Sequence, residues 1–256
     1  MSQHKITLGV SLKMYFGHAR TLAWCRDVAR VATERRSVVP EQVELFVLPT
    51  FPALAPATAA IGDAPVAVGA QDLHWADDGA YTGEVSAVEL AELGVRYVEV
   101  GHAERRRLFG ETDEVIKLKS AAALRHGLVP VLCVGEPDRV DADAAIDIVH
   151  DQVAAALADA PPGRVIIAYE PVWAIGAPEP APDQHIRAVC GALRGSAGAD
   201  RNESSVIYGG AAGPGLLGRL DGTVDGLFLG RFAHDPAALA TVLDEAAALV
   251  IKEDGP

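Results

Sequence analysis

Cysteine is scarce in this chain. Cys25, Cys133 and Cys190 are the only three, they lie far apart, and they match neither a zinc-ligand spacing nor a Cys-x-x-Cys redox pair. A disulfide-stapled secreted fold is therefore not expected, and a reduced, cytoplasmic setting is. Also missing is any apolar run of about 18 residues, so no membrane-spanning helix is expected. The opening MSQHKITLGVSL lacks the charged-then-apolar layout of a secretory signal and reads as a first strand. Basic residues are in the minority: 22 Lys and Arg face 35 Asp and Glu, for a formal net charge of −13. That balance argues against nucleic acid or an anionic membrane as partner. It also means that an anionic ligand must be held by local donors, because the overall field repels it. There is no HExxH, no GxSxG elbow, no GxxxxGK loop and no cluster of metal ligands. Nothing in the sequence calls for a metal or an organic cofactor.

What is present is a large apolar fraction, 50% of 256 residues, enough for a sizeable core. Short β-branched runs alternate with amphipathic helical ones along the whole chain. Strands are expected at 6–12, 43–48, 66–70, 97–100, 129–134, 165–169, 206–208 and 226–229. Helices are expected at 20–34, 115–125, 144–157, 184–193 and 237–251. The segment PTFPALAPATAA, after the second strand, is punctuated by proline, and the last residues, KEDGP, are expected to fray. Eight β–α units with strands apolar on both faces imply a parallel sheet covered by helices. The count fits a closed (β/α)8 barrel in a single domain spanning 1–256.

In such a barrel the chemistry gathers at the C-terminal ends of the strands. Those ends carry Lys13, His102, Cys133 with Glu136, Glu170, Gly209-Gly210 and Gly230-Arg231. Glu170 closes the run VIIAYE; a desolvated carboxylate there has the raised pKa of a working base, although an ion pair at the barrel rim would also account for it. His102 follows the break at Gly101, where a short helical turn begins. The positive end of that turn biases an imidazole toward its neutral form. Lys13 could anchor a phosphate, polarise a carbonyl or form a Schiff base.

The stretch Gly213-Pro214-Gly215-Leu216-Leu217-Gly218 is a literal GxGxxG. A dinucleotide site would need an acid ending the next strand, and that strand ends in Gly230-Arg231 instead. Glycine turns opening helices still offer free N–H groups to a phosphate, and the loops after strands seven and eight are where barrels hold one.

The segments SLKMY (11–15), GAQDLHWADDGAYTGEVS (69–86), YVEVGHAERR (97–106), PVLCVGE (130–136), AYEPVWAIG (168–176), YGG (208–210) and VDGLFLG (224–230) resemble, in this order, the triosephosphate isomerase family over nearly the full length. The resemblance implies a cofactor-free isomerase acting on a small phosphorylated sugar. Glu170 would shuttle a proton between adjacent carbons, His102 would act as a neutral electrophile, and Lys13 would supply positive charge, paired with Glu104. This division of labour is the family's own well-known example of a carboxylate working beside a neutral imidazole under a closing lid, and is taken from there. Pro171, Val172 and Trp173 would form the lid's first hinge. Substrate contacts would fall on Ser11, Gly176, Gly209, Gly210, Ala211, Gly230 and Arg231. The family is usually a homodimer interlocked through the 69–86 loop, which would set Thr82 against the partner's site.

Five positions depart from the family pattern. Ser11 stands for an asparagine, Ala103 for a serine, Ala177-Pro178-Glu179 for Thr-Gly-Lys, Ala211 for a serine, and Arg231 for a glycine. Arg231 could grip phosphate or pair outward with Asp221 or Asp235. Ser11 and Ala103 shrink the wall near Lys13 and His102 and would admit one extra hydroxymethyl group. The pattern resembles the branch of the family that converts L-erythrulose 1-phosphate to D-erythrulose 4-phosphate in erythritol breakdown. Ordinary triose phosphate interconversion and a non-catalytic sugar-phosphate binder remain the alternatives.

Overall fold

The computed structural model describes residues 5–253 apart from 40, 200, 202 and 221. Its strands, β1 (Ile6–Ser11), β2 (Val43–Leu48), β3 (Ala67–Ala70), β4 (Tyr97–Val100), β5 (Val129–Val134), β6 (Ile166–Tyr169), β7 (Ser205–Tyr208) and β8 (Gly226–Leu229), form one closed barrel in sequence order. All neighbours are parallel, and β1 closes the ring on β8 with Val10 opposite Leu229. The expected strands are all there, with ends moved by a residue. The run 6–12 closes at Ser11, while 66–70 opens at Ala67, 165–169 at Ile166 and 206–208 at Ser205.

Around the barrel run α1 (His18–Glu34), α2 (Leu54–Ile61), α3 (Ala87–Glu92), α4 (Ala103–Phe109), α5 (Asp113–Arg125), α6 (Ala142–Leu157), α7 (Asp183–Leu193), α8 (Leu216–Leu220) and α9 (Pro236–Glu253). Several begin earlier than the apolar periodicity indicates, because polar caps start them. Thr112 accepts from the Val115 N–H ahead of α5, and Asp141 from the Ala144 N–H ahead of α6. The proline-punctuated segment does make a helix, after a 3₁₀ turn at Phe51–Ala53. Of the expected fraying tail, 252 and 253 continue α9, and 254–256 lie outside the described residues. Among the described residues no helix is long and apolar enough to cross a membrane.

The strands bury both faces, and alternation sorts their side chains. Leu8, Val10, Val98 and Val100 face the helices. Phe46, Tyr97, Val131, Cys133, Ile207 and Phe228 fill the barrel's interior, where the Phe46 and Tyr97 rings stack 4.4 Å apart. Gly9 makes room for that stack: a Cβ there would lie 2.3 Å from Phe46 and 2.8 Å from Phe228. Because Tyr97 points inward, so does Glu99 two residues on. Strand β4 therefore carries a carboxylate into the layer directly below the barrel's upper mouth.

Candidate active site

Glu170, immediately after β6, is 6% exposed, and its Oε2 has no hydrogen-bond partner. Its place is set from two sides. Its backbone N–H donates to the Val134 carbonyl at 2.8 Å, and its side chain lies where a Cβ on Gly209 would be only 2.4 Å from Cγ. A larger residue at 209 would push the carboxylate aside. Burial raises the Glu170 pKa above the ordinary carboxylate range, against the pull of His102 and Lys13. The rim ion pair that would have explained Glu170 structurally is not formed among the described residues; the nearest cation-capable group is His102 Nε2, at 3.6 Å.

His102 caps α4. Its Nδ1 accepts from the Glu104 N–H at 3.1 Å, which leaves the ring proton of the neutral imidazole on Nε2, the atom facing Glu170. Its pKa is lowered, first by burial and then by the Lys13 and Arg105 charges, with Glu170 and Glu104 pulling the other way. That direction is the one expected from the helix start, and desolvation is its first cause. Lys13, in the turn after β1, has a left-handed φ of 48°, an uncommon conformation for a residue with a Cβ. That turn brings Nζ to 2.5 Å from His102 Nε2, with Glu99 Oε1 and Glu104 Oε2 each at 3.7 Å. Burial pulls the ammonium's pKa down, but Glu99, Glu170 and Glu104 outweigh it and the net direction is up.

Sequence reasoning passed over Glu99. It is 3% exposed, it accepts from Ser11 Oγ at 2.8 Å through Oε2, and its Oε1 has no partner. Burial raises its pKa too, opposed by Lys13 and Ser11. The available signal was an acid in the apolar run YVEV, on the same strand face as the inward Tyr97. Glu99, Cys133 and Glu170 bring their ligand-type atoms within 4.8 Å of one another, the one such group among the described residues. The arrangement suits a cation poorly. Burial pushes the Cys133 thiol well up, which keeps its proton on, and the Lys13 ammonium already faces both carboxylates.

Above these groups lies a cavity of about 420 Å³, bordered by Ser11, Lys13, Glu170, Gly176, Gly209, Gly210, Ala211, Gly230 and Arg231. Of the residues picked out from the strand ends, His102, Cys133 and Glu136 do not border it: His102 lies beside Glu170 and Lys13, and Glu136 under Trp173. The amides of Gly176, Gly210 and Ala211 make no hydrogen bond among the described residues. Ala103 does not border this cavity; it lines a small space of about 20 Å³ behind Glu170, with Cys133, Gly135 and Val172. The GxGxxG glycines do not border the cavity either; Gly213 packs beside the Phe232 ring, which does. A larger cleft, about 800 Å³, opens at the opposite end of the barrel. Its Arg164 and Arg194 are already paired with Glu44 and Asp225, and it lacks the base-and-imidazole pair.

The segment from Pro171 to Ala181 covers the cavity and is clasped at three points. At its start Trp173 Nε1 donates to Glu136 Oε1 at 2.8 Å, and Glu136 also accepts from Tyr169 Oη. At its far end the Ala181 N–H donates to Tyr208 Oη at 3.0 Å. Arg231 Nη2 donates to the Gly176 carbonyl at 3.2 Å, so its guanidinium serves the lid rather than an ion pair with Asp235. Asp221 lies outside the described residues. Thr82 sits exposed in the 71–86 loop, away from the cavity.

The burial of His102 is open to a direct test. In a pH series followed by ¹⁵N NMR, His102 is expected to keep the chemical shifts of a neutral ring down through pH 6.5, with the proton on Nε2. A His102 ring that charges above pH 6.5 would contradict the burial argument.

The family model for triosephosphate isomerase matches residues 6–246. The chain is 56% identical over 252 residues to the L-erythrulose-1-phosphate isomerase of Pectobacterium atrosepticum, covering 96% of this chain and 97% of that one. It is 36% identical to the triosephosphate isomerase of a Synechococcus species, over 93% of this chain and 96% of that one. The crystal structure of triosephosphate isomerase from Bartonella henselae superposes with a TM-score of 0.79 at 27% identity, covering 97% of this chain and 99% of that one. With its barrel, its carboxylate–imidazole–ammonium cluster and these relatives, the chain belongs to the triosephosphate isomerase family.

Proposed function

We propose that the chain isomerises a four-carbon ketose phosphate, L-erythrulose 1-phosphate to D-erythrulose 4-phosphate, by proton transfer through an enediolate. The observation that carries this reading is the pair of Glu170 Oε2, buried and unpartnered, and His102 Nε2, 3.6 Å apart beneath one cavity. A ligand seated in the cavity above them offers a carbon-bound proton to the carboxylate and an oxygen to the imidazole N–H. That oxygen can also accept from Lys13 Nζ. It would part the 2.5 Å contact between the two nitrogens and take the negative charge that develops as the proton leaves. The phosphate then lies at the rim, where the amides of Gly176, Gly210 and Ala211 point no hydrogen bond elsewhere in the described residues. Glu170 returns the proton to the neighbouring carbon. The hydroxyl proton passes, by way of the His102 imidazole, from the oxygen of the deprotonated carbon to the former carbonyl oxygen, which moves the carbonyl by one position. The clasped lid keeps water from the enediolate, whose alternative fate is loss of phosphate.

The four-carbon substrate is preferred to the triose because of the relative at 56% identity, which bears that activity in its name. The small Ser11 side chain at the cavity wall is consistent with it. We further propose a homodimer formed through the 71–86 loop. The exposed Tyr81 there, and Met14 and Tyr15 after β1, exposed at 90% and 57%, offer apolar surface to a second copy, and Thr82 would sit against that copy's site. Three free, buried cysteines suit a reducing, cytoplasmic setting.

Replacing Glu170 by Gln is expected to cut turnover by about 10²- to 10⁴-fold. Because the raised pKa means that ionised Glu170 costs stability once pH exceeds it, the same variant should melt no lower than the parent at pH 8. Near-normal turnover with an intact fold would refute the assignment of the base. On substrate, kcat/KM should be higher for L-erythrulose 1-phosphate than for glyceraldehyde 3-phosphate; the reverse order returns the chain to triose chemistry. Light scattering on the eluted protein should give twice the chain mass, and a monomer mass would remove the proposed interface.

A further inference from the structure

Glu99 has no part in the chemistry above, yet it occupies an expensive position. A carboxylate 3% exposed inside a barrel is costly to bury, and one of its oxygens is left without any hydrogen-bond donor. Ser11 holds the other oxygen at 2.8 Å and so fixes the rotation of the group. The free oxygen, Oε1, lies 3.7 Å from Lys13 Nζ and 3.9 Å from His102 Nε2, and those two nitrogens are 2.5 Å apart. A ligand atom that parts Lys13 from His102 therefore arrives within reach of Oε1.

The barrel's topology says which part of a ligand that is. The phosphate-side amides belong to the loops after β7 and the lid, with Gly230 and Arg231 after β8. In a closed ring of eight strands in sequence order, β4 stands diametrically across from β8. A sugar phosphate anchored at that rim would set its reacting carbons over Glu170, after β6, and His102, after β4. Ser11 borders the cavity with Glu99 bonded behind it, so a group continuing beyond those carbons would run toward this pair. A triose has no further carbon there. A four-carbon ketose phosphate has one more hydroxymethyl group, whose O–H needs an acceptor in a place that water hardly reaches.

We infer that Glu99 is a specificity-determining residue, its free Oε1 accepting the hydrogen bond of the hydroxyl that a four-carbon ketose phosphate carries beyond its reacting carbons. This rests on the isomerase reading above. A site built to bond a substrate hydroxyl rejects the analogue that lacks it, because the buried acceptor is then left unpaired. Ser11 contributes indirectly, by holding the carboxylate at the angle that keeps Oε1 free.

The test compares kcat/KM for L-erythrulose 1-phosphate and for glyceraldehyde 3-phosphate in the parent, Glu99→Leu and Glu99→Gln, with a thermal melt on each. The ratio of four-carbon to three-carbon activity is expected to fall by about 10- to 100-fold in Glu99→Leu, the worth of a hydrogen bond to a charged group. Glu99→Gln, which keeps the shape and one acceptor oxygen, should recover part of that ratio, and it carries the test alone if the leucine variant does not fold. A ratio within twofold of the parent's in both folded variants overturns the inference. So does an equal loss on both sugars, which would make Glu99 a tether for Lys13. A parent enzyme with no four-carbon activity would instead overturn the substrate reading, and is told apart because it appears before any substitution is made.

Discussion

Two carboxylates, Glu99 and Glu170, 3% and 6% exposed, share one ammonium and one imidazole. The rest of the site follows from that constraint. Burial raises the Glu170 pKa and lowers that of His102, so both groups are biased toward their uncharged forms beside the Lys13 ammonium. Lys13 holds the cluster together, with three acids around it. A barrel suits such a cluster, because eight strand ends aim side chains at one small volume from fixed directions.

Much of this could be read from residue order alone. A strand buried on both faces is a short apolar run, and an apolar run ending on Glu170, on Gly209-Gly210 or just before His102 marks what stands at the mouth. Boundaries were harder where a polar cap lies outside the periodic stretch, as Thr112 and Asp141 do. Glu99 escaped because it lies inside a strand rather than at its end, where alternation shows which face a side chain takes but not how close it comes to the chemistry. Ala103 misled for a related reason. One residue into a helix turns a side chain by about 100°, enough to place it behind Glu170 instead of beside Lys13.

Arg231 shows what only coordinates supply. By sequence it faces two options, phosphate or an outward acid; its side chain borders the cavity and adds a third partner, the lid's own backbone at Gly176. The lid is thus held from β5 through Glu136, from β7 through Tyr208 and from the β8 loop through Arg231. Each hold comes from a different wall of the barrel.

The inward register of β4 carries a further consequence. Tyr97 and Glu99 share one face of the strand, the phenol bonded to Glu44 near the barrel's lower end and the acid to Ser11 near its upper end. A slip of one residue would swing both polar groups out among the helices and turn Val98 and Val100 inward, taking the Tyr97 phenol from Glu44 below and the Glu99 carboxylate from Lys13 above. The same short strand that presents the acid to the ligand is therefore locked in alignment by its own polarity at both ends.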